Sequence, residues 1–569
     1  MKTLIAQILK KALNEMNVKL KDEEILNFIE IPPSPELGDY AFPCFFLAEK
    51  LKSEPREIAL EIREKIGENL NGLEDIQTSG AYVNFFVNRK ELAEKAISEI
   101  ILKKEKYGEP VLKEKNKIMI EFSQPNTHKA FHVGHIRGTS LGESISRILE
   151  FCGDKVIRAN YSGDTGMHVA KWLWCYSRYH SKEKLRDDES WIAGIYVDAV
   201  KKLEENSKLQ EEVDLINWAL EARKDKKLSL LWKKTRKLSI GSWEKIYKEL
   251  GVKFDVSFFE SDMEKRGKEI SNELRNKKIA VKNKGAIIVN LKKYGLDVWV
   301  LLRSDGTVLY SAKDLALAEK KFSKYKINKN IYVIGSAQTL HVKQLFKTLE
   351  LMDFKIGENI FVPFAEIRLP SGKMSSRSGE NILYSEFIRE VTDYSKEEIK
   401  KRNKDLSKNA LEKLALIISI ASIKYSMLKQ NSGKNIIFRK EDALNFEGDT
   451  GAYLLYSYAR ASSIIRKASV AKKIEKENFD VDEINSEEIS LIKKLSQFPE
   501  VIENSYKNLN PSLIANYSHS LAQKFNEFYH SCPVLKSEKE NFRLMLVKSF
   551  ICVMENALNL LGIPPIKKM

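Results

Sequence analysis

The sequence predicts a multidomain α/β protein organised around a parallel sheet. In its middle part, short apolar runs typical of buried strands alternate with helical segments, and this alternation favours a parallel sheet with helices on both faces. From residue 400 onward the periodicity is almost wholly helical, which predicts a helical bundle. Because 569 residues exceed what one core organises, the length predicts three or four domains. The pattern along the chain divides it into three: α+β at 1–108, Rossmann-type α/β at 109–385 and all-α at 386–569.

The first predicted domain opens on an amphipathic helix, Met1–Asn14. Its apolar run is interrupted by Gln7 and two lysines, so it does not resemble a signal peptide. A proline-rich loop follows, helical periodicity resumes over Phe45–Ile66, and the domain ends with a strand at Tyr82–Val87. Alternation is poor in this strand, so we expect it to be buried on both faces.

The central domain is predicted from five apolar strand segments that are separated by helical stretches. Charged residues with helical periodicity dominate 182–250, which predicts a helical insertion in this domain. In the last domain, breaks in the helical pattern are expected near 431–433, 471–487 and 508–512. The predicted strands of the central sheet are Ile118–Phe122, Val156–Asn160, Trp299–Arg303, Ile331–Ile334 and Ile360–Pro363.

Composition restricts the kind of protein without identifying it. The 95 Lys and Arg residues outnumber the 79 Asp and Glu residues, and the net charge of +16 fits a polyanionic partner such as RNA. A lysine-rich proteome would explain the same excess. The five cysteines are far apart and form no Cys-x-x-Cys pair, which disfavours a zinc site or a disulfide framework. With no apolar stretch near the ~20 residues that cross a bilayer, we expect a soluble, cytoplasmic protein.

The most informative segment is a strand that ends in a loop and leads directly into a helix. The loop carries His132, Gly134 and His135, and the helix is predicted over Ile136–Phe151. A helix N-terminus at the carboxyl end of a parallel strand offers free backbone N–H groups to an anion. The glycine allows a nucleotide to approach the backbone closely. Two histidines could also form part of a metal site or be purely structural, but no third metal ligand is nearby.

A second segment, Lys373–Gly379, is rich in serine and glycine and lies about 240 residues later. Lys373 and Arg377 could close over a triphosphate and stabilise the charge on the departing pyrophosphate. A solvated turn is the alternative for such a loop considered alone. Its combination with the upstream histidine motif in an α/β domain favours nucleotide chemistry.

Together the two segments resemble the HIGH and KMSKS signatures of class I aminoacyl-tRNA synthetases, and the surrounding residues resemble the arginine-specific family. Ser123–His135 matches that family's Ser-x-Pro-Asn-x-x-Lys-x-x-His-x-Gly-His block, and Gly163–Gly166 resembles its Gly-Asp-x-Gly block. The resemblance continues through Gly448–Tyr456 to the last dozen residues. It implies that ATP, with Mg²⁺, activates L-arginine to arginyl-AMP and pyrophosphate, and that arginine then passes to the 3′-terminal ribose of tRNA(Arg). The family similarity also implies that tRNA is needed for activation.

A guanidinium group is best selected by carboxylates that match its planar fork. Tyr310 and Asp314 match the family's Tyr-x-x-x-Asp element, whose spacing places both side chains on one face of a helix. Glu260 matches a second guanidinium carboxylate. A helix-capping role remains the alternative for Gln338 and His341. The resemblance implies the arginine-binding set Glu121, Asn126, Glu260, Tyr310, Asp314 and Gln338.

The resemblance further implies catalysis by positioning and charge stabilisation, because the carboxylate of arginine itself attacks the α-phosphate. The residues implied to be catalytic are His132, His135, Lys129 and Lys373. Those implied to bind ATP are His132, Gly134, His135, His341, Lys373, Met374, Ser375 and Arg377. No metal ligand is expected within the chain.

Two positions depart from the family pattern. Ser376 replaces the second lysine of the KMSKS signature, and the family resemblance implies that Lys129 takes over part of that lysine's role. Thr165 stands where many members carry tryptophan, and the sequence attaches no consequence to it.

Side chains that stack on unpaired bases are expected in both flanking domains. Tyr82 and Asn84 lie on one side of a strand that resembles the family's contact with the tRNA elbow, although core packing is an equal alternative. In the C-terminal domain, Tyr453, Tyr456 and Arg460 form a helical stripe, for which the resemblance implies anticodon binding. Tyr529 and Met569 are lesser candidates for that surface.

Three competing functions remain open at this point. A class I synthetase for another amino acid is disfavoured by Tyr310, Asp314 and Glu260. An RNA-binding or scaffold paralogue without chemistry is disfavoured by the intact histidine motif. A cytidylyltransferase-like enzyme would share His-x-Gly-His but would not need the helical C-terminal third. We expect a monomer that uses ATP, arginine and tRNA(Arg), without a membrane.

Overall fold

A computed structural model describes residues 2–32, 34–68, 72–111, 114–354, 357–370, 372–373, 382–403, 405–471 and 483–569. The chain forms two compact units. One comprises Met1–Lys104, Ile464–Gln497 and Lys524–Cys552, and the other comprises Glu105–Ser463, Phe498–Gln523 and Val553–Met569.

The N-terminal part of the first unit is an α+β structure, as the sequence predicts. Its three strands form an antiparallel sheet of order β1-β3-β2, in which Tyr82 pairs with Pro43 and Ser79. Helix α1 buries one apolar face, including Ile5, Leu9 and Leu13. The elements are α1 (Lys2–Glu15), α2 (Asp22–Phe28), β1 (Tyr40–Pro43), α3 (Ala48–Leu51), α4 (Pro55–Ile66), β2 (Leu73–Ser79), β3 (Tyr82–Val87) and α5 (Arg89–Lys103).

The second unit contains the Rossmann-type sheet and the helical insertion. The elements of this segment are β4 (Lys117–Glu121), α6 (Val133–Phe151), β5 (Lys155–Ser162), α7 (Met167–Cys175), α8 (Glu189–Glu205), α9 (Gln210–Ala222), α10 (Lys226–Glu249), β6 (Val256–Phe259), α11 (Glu264–Asn276), β7 (Val281–Asn283), β8 (Ala286–Asn290), β9 (Val298–Leu302), α12 (Tyr310–Tyr325), β10 (Lys329–Gly335), α13 (Thr339–Leu351), β11 (Glu358–Phe364), β12 (Ile367–Leu369), β13 (Gly372–Lys373) and α14 (Tyr384–Arg402).

The central sheet is parallel, with strand order β11-β10-β4-β5-β6. The order turns back on itself at β4, and the carboxyl ends of β4, β5 and β10 therefore meet at the edge where ligands bind in such sheets. Four of the five predicted strand segments belong to this sheet, where they form β4, β5, β10 and β11.

The fifth predicted strand was assigned to the wrong sheet. Trp299–Leu302 of this segment lie in β9, which pairs antiparallel with β8 in a separate three-stranded sheet of order β7-β8-β9. An apolar run indicates that a strand is buried, but it does not indicate whether the neighbouring strand is parallel or antiparallel. The fifth strand of the parallel sheet is β6, which the sequence pattern did not reveal.

The insertion at 182–250 is helical, as predicted, and consists of α8, α9 and α10. It shares a hydrophobic core with α7 that contains Trp172, Leu173, Val213 and Trp232. This packing fixes α10 against the loop that follows β4, as described below.

The rest of the chain is mainly helical. The predicted break near 431–433 is real and includes β14, which pairs with β12. The break near 508–512 separates α19 from α20, and residues 472–482 of the third predicted break lie outside the described residues. The elements are α15 (Lys408–Leu428), β14 (Ile436–Ile437), α16 (Lys440–Ala443), α17 (Gly451–Ala471), α18 (Ser486–Ser496), α19 (Phe498–Asn508), α20 (Ser512–Ser531) and α21 (Glu540–Leu560).

In the described portion of the chain, no helix combines the length and the apolar character that crossing a bilayer requires. The five cysteines are free thiols, and four of them are buried.

Candidate active site

The loop between β4 and α6 is held in an unusual conformation by the helical insertion. Ser123 and His128 have left-handed backbone φ angles of 75° and 62°, which cost energy for residues with a Cβ. The hydroxyl of Ser239 on α10 accepts from the backbone N–H of His128 at 3.0 Å, and Thr235 Oγ1 lies 2.8 Å from His128 Nε2. Tyr247, also on α10, hydrogen bonds to Ser123 Oγ at 2.8 Å. The insertion therefore fixes the loop that carries the predicted site residues.

The predicted histidine motif occupies the first turn of α6. His132 Nδ1 accepts from the backbone N–H of Gly134, and His135 Nδ1 accepts from the backbone N–H of His132, both at 3.1 Å. Because each Nδ1 is an acceptor, each neutral ring carries its hydrogen on Nε2. Burial lowers the pKa of His132 to about 4 and that of His135 well below its ordinary value. At neutral pH the motif therefore offers two oriented, uncharged Nε2–H donors.

Lys129 and the histidine motif line one cavity of about 640 Å³. The opposite wall is helix α8 of the insertion, where the Lys129 ammonium lies 5.2 Å from the centre of the Tyr196 ring. Burial, reinforced by Lys171, lowers the pKa of Lys129. Asn126 also lines this cavity. The arrangement offers one cationic and two neutral donors to an anion.

The second predicted motif begins on β13, where the backbone of Lys373 pairs with Arg368 of β12. Met374, Ser375 and Arg377 lie outside the described residues. Leu383, downstream of the second motif, forms an antiparallel bridge with His132. The N–H of Tyr384 donates to the carbonyl of Phe131 at 3.0 Å. The segment downstream of the second motif is thus attached by its backbone to the first motif.

A second cavity, of about 440 Å³, contains the whole predicted arginine-binding set. Residues almost 220 positions apart converge on it from β4 and the loop after it, the turn after β6, α12 and the turn after β10. The predicted residues in its lining are Glu121, Asn126, Glu260, Tyr310, Asp314 and Gln338. Asn126 lines both cavities, so the two sites adjoin at this side chain.

Tyr161 at the end of β5 also lines the acidic cavity, and sequence reasoning missed it. Burial, and then the charges of Asp314, Glu260 and Glu121, raise the pKa of Tyr161 well above its ordinary value. Its hydroxyl is therefore a neutral group placed among three carboxylates. Only its position directly before the Gly163–Gly166 block could have drawn attention to it.

Two of the three carboxylates are paired with lysines of α12. Lys321 lies 2.5 Å from Glu121, which also accepts from Gln124 Nε2 at 2.6 Å. Lys313 lies 3.1 Å from Glu260. Burial raises the pKa of Glu260, and Lys313 opposes that shift. The sequence did not reveal either lysine as part of the site.

The Gly163–Gly166 block positions Glu260. Asp164 is fully buried and accepts from the backbone N–H and the hydroxyl of Ser261 at 2.9 and 2.6 Å, and it pairs with Arg236 of α10 at 2.8 Å. Thr165, which had no assigned consequence, accepts from Lys313 Nζ at 3.3 Å. The block thus fixes the end of β6 and the lysine opposite Glu260.

His341 was expected beside ATP, but its imidazole lies in the acidic cavity. Its Nε2 is 2.6 Å from Asp314 Oδ2. Gln338 ends the turn before α13 and makes no side-chain capping hydrogen bond. Its side chain therefore does not cap α13, which was the alternative role for Gln338.

The predicted tRNA-binding residues differ in exposure. Asn84 is only 4 % exposed, which favours the core-packing alternative over the tRNA contact for this residue. Tyr82 is partly exposed and packs edge-to-face on Phe45. Tyr456 is exposed, and Arg460 stacks over its ring and donates to its hydroxyl at 3.1 Å.

Three further candidates lie in or after the C-terminal helices. Tyr453 is partly buried, with its ring 5.4 Å from that of His519. Tyr529 is exposed and stacks on Phe525. Met569 follows the last helix and is partly exposed.

Among the described residues, Cys175, His180 and Asp198 bring potential metal ligands within 4.8 Å of one another. Both ring nitrogens of His180 are already bonded, to Glu183 at 2.5 Å and to Asp198 at 2.9 Å. These carboxylates raise the pKa of His180. The hydrogen bonds of His180 to the two carboxylates account for the cluster without an ion.

The fold and the two adjoining cavities are those of a class I aminoacyl-tRNA synthetase. Residues 96–439 match the family model of the class I (R) tRNA synthetase catalytic domain, 2–87 match the arginyl-tRNA synthetase N-terminal domain, and 454–569 match the DALR anticodon-binding domain. The chain belongs to the arginyl-tRNA synthetase family.

Relatives and solved structures agree with this assignment over the full length. The arginine–tRNA ligases of Clostridium perfringens and Clostridium kluyveri are each 36 % identical over 577 and 574 residues, with 100 % of both chains covered. The arginyl-tRNA synthetase of Thermus thermophilus superposes with a TM-score of 0.81 at 25 % identity and covers 100 % of both chains. That of Plasmodium falciparum gives 0.80 at 22 % identity, covering 100 % of this chain and 99 % of its own, and supports the fold.

Proposed function

We propose that the protein is an arginine–tRNA ligase that activates arginine with ATP and transfers it to the terminal ribose of tRNA(Arg). The observation that carries this proposal is the shared wall at Asn126. A cavity with three carboxylates adjoins a cavity with neutral histidine donors and a lysine, and one amide side chain belongs to both. A guanidinium held in the first cavity would direct its α-amino and carboxylate groups toward the second.

Arginine activation needs no nucleophile from the protein, because the arginine carboxylate attacks the α-phosphate of ATP. The contribution of the enzyme is to orient the two substrates and to stabilise the negative charge that develops on phosphate. His132 and His135 supply oriented Nε2–H donors at neutral pH, and Lys129 supplies a cation. Lys373, and with it Met374, Ser375 and Arg377, is proposed to act on the pyrophosphate side.

Asp314, Tyr310 and Glu260 are proposed to recognise the guanidinium, and Asn126 and Gln338 the α-amino group. Mg²⁺ is proposed to accompany ATP as part of the substrate. The exposed Tyr456 and Arg460 pair is suited to stacking on an unpaired base and supports a role of α17 in anticodon binding. Tyr82, Tyr453, Tyr529 and Met569 are weaker candidates for tRNA contacts.

We propose that residues 1–108 bind the tRNA elbow, that 109–385 carry out catalysis and that 386–569 bind the anticodon. We further propose a cytoplasmic monomer. Light scattering of the purified protein should then give a mass near 65.4 kDa.

The decisive experiment is ATP–pyrophosphate exchange with each amino acid, with and without tRNA(Arg). We expect exchange with arginine only, dependent on tRNA(Arg), abolished by chelation of Mg²⁺ and restored by excess Mg²⁺. Absence of exchange with arginine in the presence of cognate tRNA would overturn the proposal. Exchange with a different amino acid would instead support another class I specificity.

A further inference from the structure

A chain of hydrogen bonds runs from the hydrophobic core to the acidic cavity. The indole Nε1 of Trp299 lies 3.2 Å from Nδ1 of His341, and Nε2 of His341 lies 2.6 Å from Oδ2 of Asp314. The three residues come from β9, α13 and α12. They form no part of the histidine motif or of the loop that follows β4.

The indole determines the state of the imidazole. An indole N–H can only donate, so Nδ1 of His341 must be an acceptor and the ring hydrogen must reside on Nε2, where it is donated to Asp314. Trp299 is 4 % exposed and belongs to the hydrophobic core, and Nδ1 of His341 is the acceptor that its N–H meets there. A second hydrogen on the imidazole would place two N–H donors face to face, a contact that leaves a buried donor unsatisfied.

The neutral imidazole distinguishes Asp314 from the other carboxylates of the cavity. Glu121 is paired with Lys321 and Glu260 with Lys313, whereas Asp314 is paired with an uncharged ring. Asp314 therefore retains the negative charge that a guanidinium needs. The hydrogen bond from His341 also fixes the rotation of the carboxylate, and the ring of Tyr310 packs against that of His341 at 4.8 Å.

We propose that Trp299 and His341 are positioning residues for the recognition of arginine: Trp299 fixes the tautomer of His341, and His341 orients Asp314 while leaving its charge unneutralised. This inference rests on the proposed function and adds two residues to the set that selects the amino acid. It also assigns His341 to arginine rather than to adenosine.

The test is the steady-state KM for arginine and for ATP in tRNA-dependent pyrophosphate exchange, measured for the wild type and four variants. His341→Ala removes the donor to Asp314, and we expect the KM for arginine to rise about 10-fold or more, as loss of a charge-assisted hydrogen bond implies. The KM for ATP and kcat should stay within about twofold. His341→Gln, whose amide nitrogen can replace Nε2, should restore most of the arginine affinity.

Trp299→Phe keeps an aromatic ring but removes the indole donor, and it should raise the KM for arginine by about 3- to 10-fold. The matched control is Trp174→Phe, since Trp174 is also buried and its Nε1 donates to Glu212 at 2.7 Å in the insertion. This control should leave the KM for arginine unchanged. Melting temperatures of both variants separate a local effect from general destabilisation.

An unchanged KM for arginine in His341→Ala would overturn the inference. An equal rise in the KM for ATP would assign His341 to nucleotide binding. Normal kinetics in Trp299→Phe would show that arginine binding does not depend on Trp299 fixing the tautomer of His341. Failure of the wild type itself to exchange with arginine would overturn the proposed function instead, so the two failures are distinguishable.

Discussion

Glu121 and Lys321 form an ion pair in which both side chains are almost completely excluded from solvent. The charged atoms lie 2.5 Å apart, and the ammonium also lies 4.3 Å from the centre of the Tyr332 ring. Removing one partner of a buried pair leaves an uncompensated charge at a cost of about 3–5 kcal/mol. The pair therefore makes the wall of the acidic cavity dependent on a lysine that does not face a substrate.

Lys321→Met should lower the thermal stability of the protein markedly, and Glu121→Gln should do the same. The double variant should be less destabilised than the sum of the two single variants, because neither charge is then left alone. Calorimetry of the four proteins at one pH provides the comparison. Strictly additive shifts in melting temperature would show that the two groups do not depend on each other.

Gly163→Ala should weaken arginine binding more than ATP binding. A Cβ atom at this position would lie 2.5 Å from Asn126 Oδ1 and 3.1 Å from Glu260 Oε1, so at least one of them must move. We expect the KM for arginine to rise about 10-fold or more, in line with the effect of small displacements in a site.

The control for this substitution is Gly241→Ala on helix α10, where the nearest atom to an added Cβ is 4.0 Å away. It should leave both KM values unchanged. Normal arginine kinetics in Gly163→Ala would mean that Asn126 and Glu260 do not need their present spacing.

Lys129→Gln should slow the activation step more than it weakens tRNA binding. Lys129 lies beside the two histidine donors, and Ser376 stands where a second signature lysine is usual, so we expect a loss of about 100-fold in pyrophosphate exchange. Lys202→Gln on the neighbouring helix α8 is the matched control. Weakened tRNA binding with normal exchange would reassign Lys129 to the nucleic acid.

The buried amine of Lys424 should make stability dependent on pH. Its Nζ donates to the carbonyl of Gly562 at 2.6 Å, and burial lowers its pKa from 10.5 to about 7. Between about pH 7 and 10.5 the unfolded chain binds more protons at this site than the folded chain does. The contribution of Lys424 to stability must then increase with pH in that window, by up to about 1.4 kcal/mol per pH unit.

Lys424→Met lacks this titration. Relative to the variant, the wild type should gain stability between pH 7 and pH 9, as measured by urea unfolding at fixed ionic strength. Below about pH 7 both states of the wild type are protonated at this site, and the difference should level off. Parallel curves from pH 6 to 9 would contradict the prediction.

The sequence predicts the histidine motif well because its information is local: an apolar strand, a loop and a helix start follow one another along the chain. The acidic residues of the second cavity cannot be recognised from local sequence. Glu121 and Glu260 are 139 positions apart, and only the sheet order brings β4 and β6 to one edge. Their assignment therefore depended on family resemblance.

Other features were missed because their cause is tertiary. The sequence places Trp299 in the parallel sheet because an apolar run looks alike in a parallel and in an antiparallel sheet. The role of its indole N–H becomes visible only when the structure places it beside His341. One local signal was available for Lys321. It follows Asp314 and Leu317 on one face of α12, and a lysine on such a face indicates a buried partner.

The position of Asn126 on the wall of both cavities has a thermodynamic consequence. When one substrate binds and orders this amide, the second substrate binds at a lower entropic cost. Arginine and ATP should therefore each tighten the binding of the other. Linkage requires the two enhancements to be equal, whichever substrate binds first. Calorimetric titration of each substrate in the presence of the other should therefore give one coupling free energy, and Asn126→Ala should reduce it from both directions.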